Sequence, residues 1–120
     1  MIELIPNLPD NAIGFSAKGE VTSEDYETIL IPAVEAKLKE YGKIRLLYHL
    51  GPEFKSYKAG AMWDDTKVGL QHLTSWERIA LVTDVEWIRG MAKVFGFMMH
   101  CHFKTYHNDQ LAEAEAWIRE

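Results

Sequence analysis

The sequence predicts an α/β domain: a five-stranded mixed sheet, its first strand antiparallel to the rest, with four helices. Two observations predict it. Short runs of β-forming residues alternate with longer stretches whose apolar residues recur at helical spacing. The central runs KIRLLYHL and RIALVT are also continuously apolar in their middles, as strands covered on both faces must be. Strands alternating with helices long enough to be crossovers imply right-handed βαβ units and a mostly parallel sheet. A length of 120 residues suits a single domain, 1–120, with a core large enough to need no staples.

The elements follow in order. Residues 1–5 form a short apolar strand ended by Pro6. Pro9-Asp10-Asn11 is a turn, and AIGFSAKG over 12–19 is the second strand, close enough behind the first to pair antiparallel. Thr22 and Asp25 resemble a capping box that opens a helix over 22–41. Its apolar stripe is Tyr26, Ile29, Leu30, Ala33, Val34, Leu38 and Tyr41; Pro32 should kink or divide it, and Gly42 stops it. The third strand, 43–50, gives way at Gly51-Pro52 to a loop, GPEFKSYK.

A helix over 59–75 comes next, with Met62, Trp63, Thr66, Leu70 and Leu73 inward. The strand 78–83 leads to Asp84, placed to cap a helix over 85–98 that carries Trp87, Ile88, Met91, Val94, Phe95 and Met98 on one face. The last strand spans 100–106. Asn108 or Asp109 then caps a helix over 108–119 with Leu111, Ala114, Trp117 and Ile118 facing in.

Composition excludes several classes. Hydrophobic residues at 48% and charged residues at 26% are those of a folded globular chain. A formal charge of -5 supplies no basic surplus to displace counterions, so nucleic acid is not an expected partner. The single cysteine, Cys101, excludes an internal disulfide framework and a multi-cysteine zinc site. The first residues lack the basic and apolar regions of a signal peptide, and no apolar run reaches the roughly 18 residues of a membrane span. A cytoplasmic setting is expected, with transient membrane contact allowed and stable insertion not.

Beyond these patterns the chain resembles a known group. Ile31-Pro32-Ala33 within the first helix, Trp63-Asp64-Asp65 with Lys67 and Gly69 on the second, and Glu77-Arg78-Ile79-Ala80-Leu81-Val82-Thr83-Asp84 running on to Trp87 carry the likeness. They are similar to a bacterial family of SpoIIAA-like single-domain proteins of STAS-like fold, related in fold to the CRAL-TRIO (Sec14-type) lipid-binding domains. The likeness covers essentially the whole chain. It implies a β-α superhelix and a non-enzymatic binding module, either for a small apolar, lipid-like molecule or for a protein partner in the manner of anti-sigma-factor antagonists. One departure stands out. Where the antagonists carry a phosphorylatable Asp-Ser-Ser or Asp-Ser-Thr directly after the third strand, this chain has His49-Leu50-Gly51-Pro52-Glu53-Phe54-Lys55-Ser56. Ser56 lacks the preceding Asp, so stoichiometric phosphate on it is not expected.

Three constellations remain as candidate sites. The carboxyl ends of parallel strands gather ligands, and there the sequence places His49, Asp84 and His107. Such a rim could perform acid–base work; the alternative is a helix-capping Asp84 between half-exposed strand-end histidines. His100-Cys101-His102 with His107 could hold a metal, but His100 and His102 read equally as the polar side of a strand whose Cys101 and Phe103 turn inward, and no metal or cofactor is assigned. Finally, Met91, Val94, Phe95, Phe97, Met98 and Met99 crowd more large apolar groups into nine positions than one buried stripe can use. With Trp63 they are the candidate residues for an apolar ligand, a homodimer contact, or plain core. Trp63, Trp76, Trp87 and Trp117 read as core or interface. No nucleophile elbow or Gly-rich phosphate loop follows any strand, so no catalytic residue is assigned.

Overall fold

Side chains alternate across a strand, and here each face of the sheet acquires its own cover. The computed structural model describes residues 1–58, 60, 75–98 and 101–120. The strands are β1 (Ile2–Leu4), β2 (Ala12–Val21), β3 (Ile44–Tyr57), β4 (Trp76–Thr83) and β5 (His102–Tyr106). They lie side by side in chain order, β1 antiparallel to β2 and every later pair parallel, as the sequence predicts.

The first helical stretch has three parts: α1 (Ser23–Asp25), a π-helical turn (Tyr26–Leu30) and α2 (Ile31–Tyr41). The expected capping box opens it, with Thr22 N donating to Asp25 Oδ2 at 2.9 Å and Asp25 N to Thr22 Oγ1 at 3.3 Å. Pro32 sits in the first turn of α2, and the wide turn just before it is the division that a proline demands. Gly42 ends α2 at φ 70°, a left-handed conformation that costs a glycine little. Then come α3 (Glu86–Met98), a 3-10 turn (Asn108–Gln110) and α4 (Leu111–Arg119). The expected helix over 59–75 falls almost wholly outside the described residues, Trp63 included.

Two expectations about local structure are corrected. GPEFKSYK is not a loop: β3 runs on to Tyr57, still paired with β2, Phe54 opposite Gly19 and Tyr57 opposite Val21. The register shifts there, so the segment 51–53 bulges out, and a bulge is where a strand tolerates proline. Ser56 therefore lies within the strand, opposite Glu20 and next to its last residue, Tyr57. The N-cap of the last helical stretch is His107 rather than Asn108 or Asp109, its backbone N–H donating to Gln110 Oε1 at 2.9 Å.

Ile13, Phe15, Ala17, Ile44, Tyr48, Leu50 and Ile79 point to one face, beneath the first helical stretch and α3. Ala12, Leu47, Ala80 and Val82 point to the other, beneath Ala114, Trp117 and Ile118 of α4. The last turn of α4 is fixed by two cations from the sheet: Arg45 Nη1 donates to Ile118 O at 2.8 Å and Arg78 Nη1 to Trp117 O at 2.7 Å. The last carbonyls of a helix lack the full set of partners that its interior has, Trp117 O accepting only a long bond from Glu120 N at 3.3 Å, and the negative end of the dipole favours positive charge.

Candidate functional site

A helix on a sheet buries one stripe, and α3 carries two stripes that could serve. Trp87, Met91 and Val94 recur at i, i+4 and i+7; Ile88 and Ala92 define a second stripe about 100° round the helix. The sequence reading turns the first of these inward with Ile88. Among the described side chains of the helix, the structure turns Ile88 and Ala92 inward, and they are buried. Gly96 helps to decide this, for it lies so close to Phe103 of β5 that a Cβ there would come within 3.1 Å of the ring. The side without bulk is the side that meets the sheet.

The other stripe consequently faces out. Trp87 is 48% exposed, Met91 46%, Val94 65% and Phe97 93%. Trp87 is anchored at one edge, its ring T-shaped to Tyr57 at 6.4 Å, and Tyr57 in turn packs at 5.1 Å on Phe54. The aromatic row thus continues from the end of β3 onto the outer face of α3. Of the other apolar candidates, Phe95 and Met98 are placed on α3 by their backbone, and Trp63 and Met99 lie outside the described residues.

The polar rim is assembled only in part. His107 Nδ1 lies 3.1 Å from Asp84 Oδ1, and Asn108 N donates to the same oxygen at 3.0 Å. The carboxylate expected to cap α3 instead holds the start of the turn after β5, while Thr83 Oγ1 accepts from Val85 N at 3.1 Å before α3. The Asn108 bond first, and His107 with it, lower the Asp84 pKa below its ordinary value. Arg89 ties the two strand ends together, its Nη1 donating to Thr83 O at 3.0 Å and Tyr106 O at 2.8 Å.

His49 stays apart from this pair. It points to the α4 face of the sheet, its ring packed over Gly51, where a Cβ would approach it to 3.0 Å. Burial lowers its pKa, and the charge of Glu115 on α4 pulls the other way. Among the described residues, then, Asp84 and His107 meet and His49 does not join them.

A pH effect follows from His49. Because its folded pKa is lowered, the unfolded chain takes up the proton first, so stability is intact above the ordinary value near 6.5 and falls as pH drops below it. The melting temperature should therefore decline between about pH 7 and about pH 5, and His49→Gln should flatten that decline. An equally steep curve in the variant would show that the dependence arises elsewhere.

Cys101 and Phe103 pack against the first core, as expected, and burial raises the Cys101 pKa, so the thiol is not activated. His102 is exposed, and His100 lies outside the described residues. Among the described residues no three His, Cys, Asp or Glu side chains are grouped for a metal ion. No described helix is long and apolar enough to cross a membrane.

Two further features carry no signal in the sequence. Tyr26 and Tyr48 hydroxyls lie 2.9 Å apart in the first core, and Tyr57 donates to Tyr48 at 3.2 Å. The three meet only because the π-helical turn lies over β3. At the edge of the sheet an open cleft of about 530 Å³ runs between the segment 4–14 and α2, with Leu4, Ile5, Leu8, Ala33, Ala36 and Lys37 among its walls. Its walls come from segments far apart in sequence.

A family model described as SpoIIAA-like matches residues 12–119. The structure is similar to the crystal structure of a DUF3478-family protein with a SpoIIAA-like fold from Shewanella loihica PV-4. The TM-score is 0.77 at 27% sequence identity, over 98% of this chain and 92% of that one. No curated protein matches the chain.

Proposed function

The chain belongs to the SpoIIAA-like family, and from that premise we propose that it is a non-enzymatic interaction module of the STAS type, working through the outer face of α3. The observation that carries this is the exposed stripe of Trp87, Met91, Val94 and Phe97. A folded chain leaves so continuous an apolar surface in water where another molecule covers it. The stripe stands on a helix fixed to the sheet by Ile88, Ala92 and Arg89, so it is presented rigidly and binding orders little. The phospho-switch of the antagonists is no part of this reading, because Ser56 lacks the Asp that precedes their phosphorylated residue.

A second reading, a carrier of a small lipid-like molecule, is favoured by the cleft beside α2. About 530 Å³ lies within the usual range for small-molecule sites. Its walls are not the residues the sequence singles out for a ligand.

The test is the fluorescence of 1-anilinonaphthalene-8-sulfonate, a probe of apolar surface, at low protein concentration. Val94→Ser with Phe97→Ser should cut the signal at least several-fold. The melting temperature should move by only about 2 °C, as for other exposed substitutions. An unchanged signal in that variant would overturn the reading. If Ala36→Trp, which fills the cleft, removes the signal instead, the carrier reading takes its place.

A further inference from the structure

Beside the apolar stripe of α3 runs a charged flank. Glu86 and Lys93 are seven residues apart, almost two full turns, so they stand on the same side of the helix. Both are exposed, and among the described residues neither forms an ion pair within the chain; Arg89, between them, is spent on Thr83 and Tyr106 carbonyls. Midway along the flank is Gly90, exposed, with open space where a Cβ would be. An apolar ridge, a gap beside its middle and opposite charges four residues before and three residues after that gap make a surface complementary to itself.

We infer that the partner of this face is a second copy of the chain, the two α3 helices packing antiparallel about a twofold axis near Gly90. The inference rests on the outer face of α3 being the working surface. An isologous contact needs a patch that fits itself when turned round. Antiparallel packing brings Glu86 of one copy to the partner's Lys93 and Lys93 to the partner's Glu86. It also sets Trp87 against the partner's Val94. Parallel packing would oppose like charges at both positions, so the charges select the direction. The missing side chain at Gly90 lets the helices approach closely where they cross.

The area is sufficient. At about 150–250 Å² for a large side chain, the exposed fractions of Trp87, Met91, Val94 and Phe97 amount to roughly 500 Å² per copy. A pair would bury on the order of 1,000 Å² from these four alone, the threshold of a specific interface, before the flanks are added.

Sedimentation velocity from about 1 to 200 µM tests it. The wild type should dimerise with a Kd within that range. Glu86→Lys or Lys93→Glu should each raise the Kd about tenfold, since two attractive pairs become repulsive in each dimer. The double variant E86K/K93E should return to within about threefold of the wild type. Circular dichroism confirms the fold of each, and Lys93→Glu, far from the helix start, keeps the test open should Glu86→Lys fray the first turn. Singles without effect, or a double variant that stays weak, would overturn the antiparallel dimer. If the wild type stays monomeric while the fluorescent probe still requires Val94 and Phe97, the second copy falls and the working face of α3 stands.

Discussion

Trp117→Ala is expected to lower stability by about 3–5 kcal/mol, the usual cost of deleting a large buried aromatic, and the melting temperature by roughly 12–20 °C for a domain of this size. Trp117 is the one large aromatic that α4 places on the second face of the sheet. Its ring meets Tyr106 at 6.5 Å and lies under two cations, the Arg78 guanidinium at 5.1 Å and the Lys104 ammonium at 4.9 Å. Such contacts add to the area that the indole buries. With the ring removed, α4 keeps only Ala114, Ile118 and the partly buried Leu111 to hold it, together with the arginine bonds to its last carbonyls. Amide exchange should show the loss as local. Protection in 111–119 should fall furthest, while the strands keep most of theirs. Urea unfolding that gives a loss under about 1 kcal/mol would mean that α4 is held chiefly by its carbonyl–arginine bonds.

Phe15→Ala on the opposite face is expected to cost a similar 3–5 kcal/mol, but to do so globally. Phe15 is fully buried in the middle of β2, paired with Leu4 on one side and Tyr48 on the other, its ring 6.5 Å from that of Tyr48. The cavity would open under the first helical stretch, where the Tyr26, Tyr48 and Tyr57 hydroxyls also meet. Their bonds depend on the ring positions that Phe15 helps to set. Exchange protection should therefore fall across β2, β3 and α2 together. A fall confined to α2 would show that the sheet holds its form without that ring.

Both expectations depend on the sheet having two covered faces, a feature only half legible in the chain. Continuous apolar runs in KIRLLYHL and RIALVT announce strands buried on both sides. They do not say which helix covers which side. The stripe of Leu111, Ala114, Trp117 and Ile118 reads inward from sequence, and it is inward, yet against the face opposite to α2 and α3. Periodicity defines a stripe relative to its own helix axis and carries no information about the partner.

The same limit explains α3 and the rim. Six large apolar residues in one short segment signal a surplus, and of the six, Met91, Val94 and Phe97 face water. Which of them face water was decided by the fit of Gly96 to Phe103 and of Ile88 and Ala92 to the sheet, a matter of shape across elements. Asp84 and His107 follow strands, as the alternation of elements implies, whereas His49, read from the sequence as a strand end, lies inside the extended β3. Whether they meet depended on which face His49 points to and on a register in which Val82 stands opposite both His49 and Tyr106. Asp84 and His107, at the ends of adjacent strands, could reach each other; His49, one strand further and turned toward α4, could not.

By itself, then, the sequence determined what is local. It set the order of strands and helices, the capping box at Thr22, the division at Pro32, the stop at Gly42 and the presence of a surplus apolar stripe, because each depends on neighbours within a few residues. The tertiary structure alone decided the continuation of β3 through Gly51-Pro52, the second face under α4, and the outward turn of Trp87, Met91 and Val94. Each of these is settled by contact between elements far apart in the chain. There the free energy of packing chooses among alternatives that local propensity leaves nearly equal.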